Sequence, residues 1–400
     1  MAQTQPVSSW ATDFDVLDRE YVSSPFEIWD ELRQKCPIAQ TDRRGRNWLP
    51  TRYEDVTAIA HDIGHFSSLE VAVIPFEGEE PDEPVLPYGL PPISSDPPLH
   101  TWTRRLLLPW FSHRRVAGYE ELTRNLCRRL IAGFADAGRA DAAAGYAQQI
   151  PVRVIAHILG VPEDLSDTFT EWVRDVLEFA DDAERRIHGM ESLVNYFVAE
   201  VGRRKEEPGD DLISELLQVE MDGKPLEESI VMGAAALVLI AGIDTTWSAI
   251  GSSLWHLATH PDDRRRLIED TEVWPLAIEE LLRAYSPVTM ARIVTKDVEF
   301  AGCPMKSGDR VLMNFPAANR DPEVFENADT VVIDRMHNRH VAFGSGIHRC
   351  AGSNLARMEL RVALEEWLSA IPDFRLAEDA EVTWAGGQVR GPRQLPVVFP

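Results

Sequence analysis

The chain has 400 residues and a formal net charge of −25, from 65 acidic and 40 basic side chains. That balance argues against a nucleic-acid binder, which needs a net basic surface or a strong basic stripe. The four cysteines, Cys36, Cys127, Cys303 and Cys350, include no C-x-x-C pair and read neither as a disulfide framework nor as a zinc site.

In chain order, the first twenty residues show neither the basic stretch nor the apolar core of a secretory leader. The expectation is a cytoplasmic protein with reduced thiols, at least three of them serving as small buried hydrophobes. Positions 26–33 predict a helix, short strands follow around Ile38 and over 48–51, and 53–60 is helical again. The Pro-, Gly- and acid-rich stretch 71–98 predicts a long irregular loop, a feature usually functional or disordered. Helices are predicted over 100–110, 119–135, 151–159, 165–179, 185–205, 211–220, 225–260, 262–271 and Trp274–Ala284. Pro225, followed by Glu227 and Glu228, reads as a helix start. The most apolar stretch, 231–243, is shorter than the ~20 residues a membrane span needs and reads as a core helix. From 292 to 314 the pattern turns β-like, with Val294, Val298, Phe300, Val311 and Met313 around Gly302 and the turn Lys306-Ser307-Gly308-Asp309. A last helix over 352–371 stops at Pro372. Repeats and linkers are absent from the pattern, so the expectation is one mainly α domain over 1–400 with a small β region.

Four segments carry chemistry. In Phe343-Gly344-Ser345-Gly346-Ile347-His348-Arg349-Cys350-Ala351-Gly352 a cysteine stands at the start of a helix, where positive potential and free N–H groups favour a thiolate. Gly346 and Gly352 permit tight turns and the close approach of a flat group. In Ala241-Gly242-Ile243-Asp244-Thr245-Thr246, polar residues interrupt an apolar helix. Thr245 can bond back to the Ala241 carbonyl and bend it, so the segment is either a plain kink or a place where a carboxylate and a hydroxyl move protons. Glu280 and Arg283 share a helix face and can pair. His100 and Arg104, in Asp96-Pro97-Pro98-Leu99-His100-Thr101-Trp102-Thr103-Arg104, also share a face and suit a pair of carboxylates.

Together these segments resemble cytochrome P-450, in order and spacing, from about His100 to the end of the chain. The cysteine loop matches F-x-x-G-x-H/R-x-C-x-G at every fixed position, and 241–246 is similar to the distal-helix motif A/G-G-x-D/E-T-T/S. The resemblance implies the cytochrome P-450 fold, with haem b between the long central helix and the helix after Cys350. It implies Cys350 as axial ligand of the iron, and Asp244 and Thr245 as the proton-delivering pair. It implies cofactor contacts from His100, Arg104, Ala241, Gly242, Arg292, Phe343, Gly344, His348 and Gly352. Leu99 stands where the family often has an acid. Glu280, Arg283 and Arg335 match a structural triad. Leu237, Ile240, Ala241, Val288, Met290 and Val389, with the loop, would line the substrate pocket, and Arg390 is a candidate to face in. The implied activity is monooxygenation of a small or medium hydrophobic substrate by a monomer without nucleic-acid or membrane partners. Electrons would come from a separate ferredoxin, docking on a basic cluster of Arg104, Arg105, His113, Arg114, Arg115, Arg349 and Arg357. Peroxygenase, nitric oxide reductase and non-catalytic haem or ligand binding are the alternatives, and Asp244-Thr245 argues against them.

Overall fold

A helix with no polar side can only be satisfied inside a core. In the computed structural model, which describes residues 5–76, 85–221 and 223–400, Glu228–Thr259 is such a helix. By length and composition it could cross a membrane, and 78% of its most apolar window is buried inside the protein. Gln149–Leu159, Ser166–Leu177, Ala183–Glu206 and Ser353–Ala370 pack around it. One apolar cluster runs through them, from Trp110 and Tyr146 past Ile155 and Trp247 to Trp367. The architecture is mainly α with small sheets, as the sequence pattern implies.

The largest sheet has the order Ile38–Thr41, Asn47–Pro50, Arg310–Met313, Met290–Val294, Phe66–Ser67. Only Asn47–Pro50 and Arg310–Met313 run parallel. Met290 pairs with Met313 and Arg292 with Val311. Strand side chains alternate, so Met290 and Arg292 share one face, and both line the cavity described below.

Two helix boundaries differ from expectation for one reason. Glu220–Met221 and Lys224–Pro225 pair as a small hairpin next to Gly223, whose φ is 75°. Turn chemistry there outweighs helix propensity. The hairpin shortens the predicted helix 211–220 to Leu212–Leu217, capped by the Asp211 carboxylate accepting from the Ser214 N–H. It also keeps Pro225 out of the central helix, which starts at Glu228. The predicted helix 100–110 divides at Pro109, which has no N–H to donate, into Leu99–Leu107 and a 3-10 turn Leu108–Phe111. No helix or strand forms between Ser67 and Leu99 among the described residues. Positions 77–84 of the predicted loop lie outside the described residues. All four cysteines are free. Cys127 is buried as expected, but Cys36 at a helix end and Cys303 after the turn at Gly302 are only half-buried.

The Glu280–Arg283 pair forms as the spacing predicts, and Arg335 joins it as the resemblance implies. Glu280 and Arg283 are fully buried. Arg283 donates to both carboxylate oxygens at 2.8 Å, and Arg335 Nε donates at 2.9 Å. The remaining Arg283 donors take the carbonyls of Asn319, Ala328 and Thr330. Removing one partner of such a buried pair costs about 3–5 kcal/mol. The exposed Lys35–Glu31 pair, at 2.9 Å, belongs to a class contributing about 0–1 kcal/mol. The triad therefore anchors the chain that leads into the cysteine loop.

A second buried carboxyl lacks such partners. Glu359 on Ser353–Ala370 is buried, and its Oε2 has no hydrogen-bond partner. Burial pushes its pKa up from 4.5 to about 8. Between those values the folded chain keeps a proton that the unfolded chain releases, so stability falls as pH rises through that window. Glu359→Gln is expected to flatten this decline, with a larger gain in urea midpoint at about pH 8 than at about pH 5. An equal effect at both pH values would mean that the carboxyl is ionised in the folded protein.

Candidate active site

Between Ile230 and Leu254 every residue of the central helix is buried except Ala241, Gly242 and Thr245. These three open onto one cavity of about 330 Å³. The Thr245 hydroxyl donates to the Ala241 carbonyl at 2.8 Å, the i−4 bond expected from spacing. Gly242 has a packing reason as well. A Cβ there would lie 2.5 Å from Ile155 Cδ1, so glycine lets Gln149–Leu159 pack tightly against the helix.

The cysteine loop forms another wall. Gly344 and Gly346 adopt φ of 73° and 71°, where other residues are strained. A Cβ on Gly346 would sit 2.2 Å from the Ala60 carbonyl oxygen, so this glycine fits the loop against Tyr53–His61. The Cys350 N–H donates to the Phe343 carbonyl at 2.8 Å, closing the loop. Cys350, Phe343, Gly344 and Gly352 all line the cavity. Cys350 is exposed on the cavity side, yet the protein around its sulfur desolvates it and raises the thiol, opposed by the Gly352 N–H and by Arg104, Arg349 and Arg357.

Four basic side chains gather at one side. The His100 and His348 rings lie 4.3 Å apart. Both His100 nitrogens and His348 Nε2 are buried without a hydrogen-bond partner. Arg292 is 5% exposed, and among the described residues the one bond its guanidinium makes in hydrogen-bond geometry is to the Ala291 carbonyl, at 2.7 Å. Burial holds its pKa down to about 10, partly offset by Asp96. That aspartate accepts from the Ser67 hydroxyl and the Ser68 N–H. Burial first, then Arg292, His100 and Arg104, hold His348 down to about 3. Arg104 donates to the Arg349 carbonyl and lines the cavity. Buried donors and cations without acids are costly. This set fits a group carrying carboxylates next to Cys350, and a haem with its two propionates is such a group.

Asp244 does not face the cavity. Consecutive helix positions point about 100° apart, and Asp244 turns into a buried ion-pair ladder. Arg393 reaches its Oδ1 at 2.8 Å, the Ser248 hydroxyl at 3.1 Å and Glu178 at 3.1 Å. Glu178 in turn accepts from Arg174 at 2.8 Å. Arg174 lines a polar surface cleft with Asp167, Thr170 and Glu171. Burial raises the Asp244 pKa, although Arg393 opposes the shift. Ser248 is four residues from Asp244 on the same helix, a local spacing that could have been read, whereas no local pattern links Arg393 or Glu178 to this helix.

Leu237, Ile240, Ala241, Val288, Met290 and Val389 all line the cavity, joined by Val71, Phe76 and Gln388. Arg390 faces away. It donates to the carbonyls of Val22 and Ser23 and lies over the Trp384 ring, where aromatic and backbone acceptors replace a carboxylate. The expected basic cluster is also smaller. Arg357 is taken by Glu279, Arg104 by the Arg349 carbonyl, and Arg115 stacks on Trp110. Arg105, His113, Arg114 and Arg349 remain exposed, without an ion pair among the described residues.

A family model for cytochrome P-450 matches residues 163–376. The chain is 37% identical over 386 residues to the mycinamicin IV hydroxylase/epoxidase of Micromonospora griseorubida, covering 93% of this chain and 94% of that protein. It is 35% identical over 391 residues to the vitamin D(3) 25-hydroxylase of Pseudonocardia autotrophica, covering 96% of each. Its structure is similar to that of a Bacillus megaterium protein solved in complex with testosterone, with a TM-score of 0.87 and 29% identity over 96% of this chain and 99% of that one. By sequence along nearly its full length, and by fold, the chain belongs to the cytochrome P-450 family of haem-thiolate monooxygenases.

Proposed function

We propose that this protein uses haem b to insert one oxygen atom from O2 into a small or medium hydrophobic substrate, with electrons from a ferredoxin. The observation that carries the reading is the close pair His100 and His348, with buried ring nitrogens short of acceptors, beside Arg292 in a cavity whose wall also holds Cys350. His100, Arg104, Arg292 and His348 would hold the propionates. Phe343, Gly344 and Gly352 would flank the macrocycle on the cysteine side, and Ala241 and Gly242 on the other. When bound, the haem iron with its Cys350 thiolate supplies oxygen activation and O–O cleavage.

The chain's own residues then manage binding and protons. The aliphatic wall binds an apolar substrate and excludes water. Thr245 spends its proton on the Ala241 carbonyl, which leaves its oxygen free to accept a hydrogen bond from a molecule in the groove. Asp244 stands one position earlier, with a pKa that burial raises above the usual carboxylate value, which favours its taking up a proton. The ladder Arg393–Glu178–Arg174 connects it to the surface cleft, so Asp244 exchanges protons with solvent when Arg393 lets go.

Arg105, His113, Arg114 and Arg349 would receive an acidic ferredoxin. Arg349 adjoins Cys350, and Arg104 ties the neighbouring helix to the same loop. A basic patch on a chain of net charge −25 concentrates attraction on one face.

Three measurements test this reading. The dithionite-reduced protein with carbon monoxide should give the strongly red-shifted Soret band of cysteinate-ligated haem, and Cys350→Ala should lose it. A histidine-type band in undenatured protein would overturn it. Thr245→Ala should divert reductant into hydrogen peroxide, while Asp244→Asn should slow product formation by about 10²-fold and raise the solvent isotope effect. Unchanged coupling and isotope effect would remove both from proton handling. Arg114→Glu should slow reduction by an acidic 2Fe–2S ferredoxin by about tenfold at low salt, and the difference should vanish at high salt. Equal rates at low salt would move the docking site elsewhere.

A further inference from the structure

The cavity wall holds a polar side chain with little to do. Apart from the cysteine loop and the basic side chains Arg104 and Arg292 beside it, the lining is aliphatic and aromatic except for Arg186, Thr245, Thr246 and Gln388 among the described residues. Arg186 is engaged with the carbonyls of Ile74 and Pro75 and lies 3.8 Å over the Phe76 ring. Thr245 is bonded to its own helix. Gln388 differs. The turn before it, with Gly387 at φ 83°, brings it to the cavity. Its backbone is pinned there, with the Thr289 N–H donating to its carbonyl at 3.0 Å and Val389 bridging Val288.

The two ends of the Gln388 amide can be told apart. The Val73 N–H donates to Oε1 at 3.3 Å, and a backbone N–H requires an acceptor, so the oxygen faces Val73. The NH2 end then faces Met290, whose Sδ lies 3.5 Å away. A thioether is a weak acceptor. The NH2 group carries two hydrogens and among the described residues meets only this weak partner, in an apolar wall where a better acceptor is rewarded.

We propose that Gln388 selects substrates that carry a carbonyl or hydroxyl oxygen on an otherwise apolar frame, by donating from Nε2 to that oxygen in place of Met290. This rests on the reading of the cavity as the substrate chamber. Gln388 acts as a specificity residue, and its carbonyl end keeps the loop at Val73 in place throughout. An aliphatic wall alone ranks ligands by size and shape, whereas a site with an unspent donor penalises the analogue lacking its acceptor.

The test uses calorimetry on the purified holoprotein with three matched pairs, each a ketone and its parent hydrocarbon: camphor and bornane, cyclododecanone and cyclododecane, androstane-3,17-dione and androstane. Gln388→Leu should weaken the ketone of at least one pair by about fivefold to tenfold and leave its hydrocarbon within about twofold. Equal weakening of both members in every pair would reduce Gln388 to a staple for the loop and overturn the proposal. So would unchanged affinity for every ketone, or no ketone bound by the wild type. Should Gln388→Leu fail to fold, Gln388→Glu carries the same test, since it keeps an oxygen for Val73 and removes the donor. The carbon monoxide spectrum of the same preparation separates the two readings. Heat of binding reports on Gln388 even where that spectrum shows no thiolate haem.

Discussion

The structure depends on burying a helix that has no outward face. Glu228–Thr259 is apolar all round, so other helices must cover every side of it. Where the cover is complete the result is ordinary core. Where it is left off, over Ala241, Gly242 and Thr245, the result is a cavity with a floor of helix backbone. The site is thus a gap in the packing around one element, and its position is set by small residues: Gly242 draws a neighbouring helix close while Ala241 and Thr245 keep the next patch clear.

Charge follows the same sorting. Buried ions are tolerated when every lone pair and proton is matched, and Glu280 with Arg283 and Arg335 meets that condition. The Asp244 ladder also meets it, through three elements far apart in the chain. The cluster at His100, Arg292 and His348 does not. Buried groups short of partners occur elsewhere, Glu359 among them, but here histidines and an arginine gather beside one cavity, which marks that place for an acidic ligand.

Local chemistry made much of this legible in sequence. Helix periodicity, the prolines and the turn at Lys306–Asp309 located most elements. The cysteine loop and the 241–246 segment were readable because their residues are close in sequence and wrong for plain structure. What was hidden is non-local. Arg393 meets Asp244 across 149 positions, and Gln388 meets Val73 across 315. No periodicity encodes such meetings. Arg390 shows the same limit from the other side, since nothing in the local sequence says whether it faces the cavity or the aromatic cluster at Trp384. The hairpin at Gly223 was a missed turn of the ordinary kind, where a glycine two residues before a proline outweighed the helical pattern on either side.

The strand Gly391–Gln394 and the turn before it lie C-terminal to every helix, yet they supply Gln388 and Val389 to the cavity and Arg393 to Asp244. During vectorial synthesis the central helix and Glu178 emerge long before their arginine does. Until that strand arrives, two carboxylates beside an apolar groove have no counter-ion from it, and the groove has no far wall. The helical body can collapse in the meantime. This strand, made after every helix among the described residues, then decides whether the collapsed body closes around its ligands or stays open.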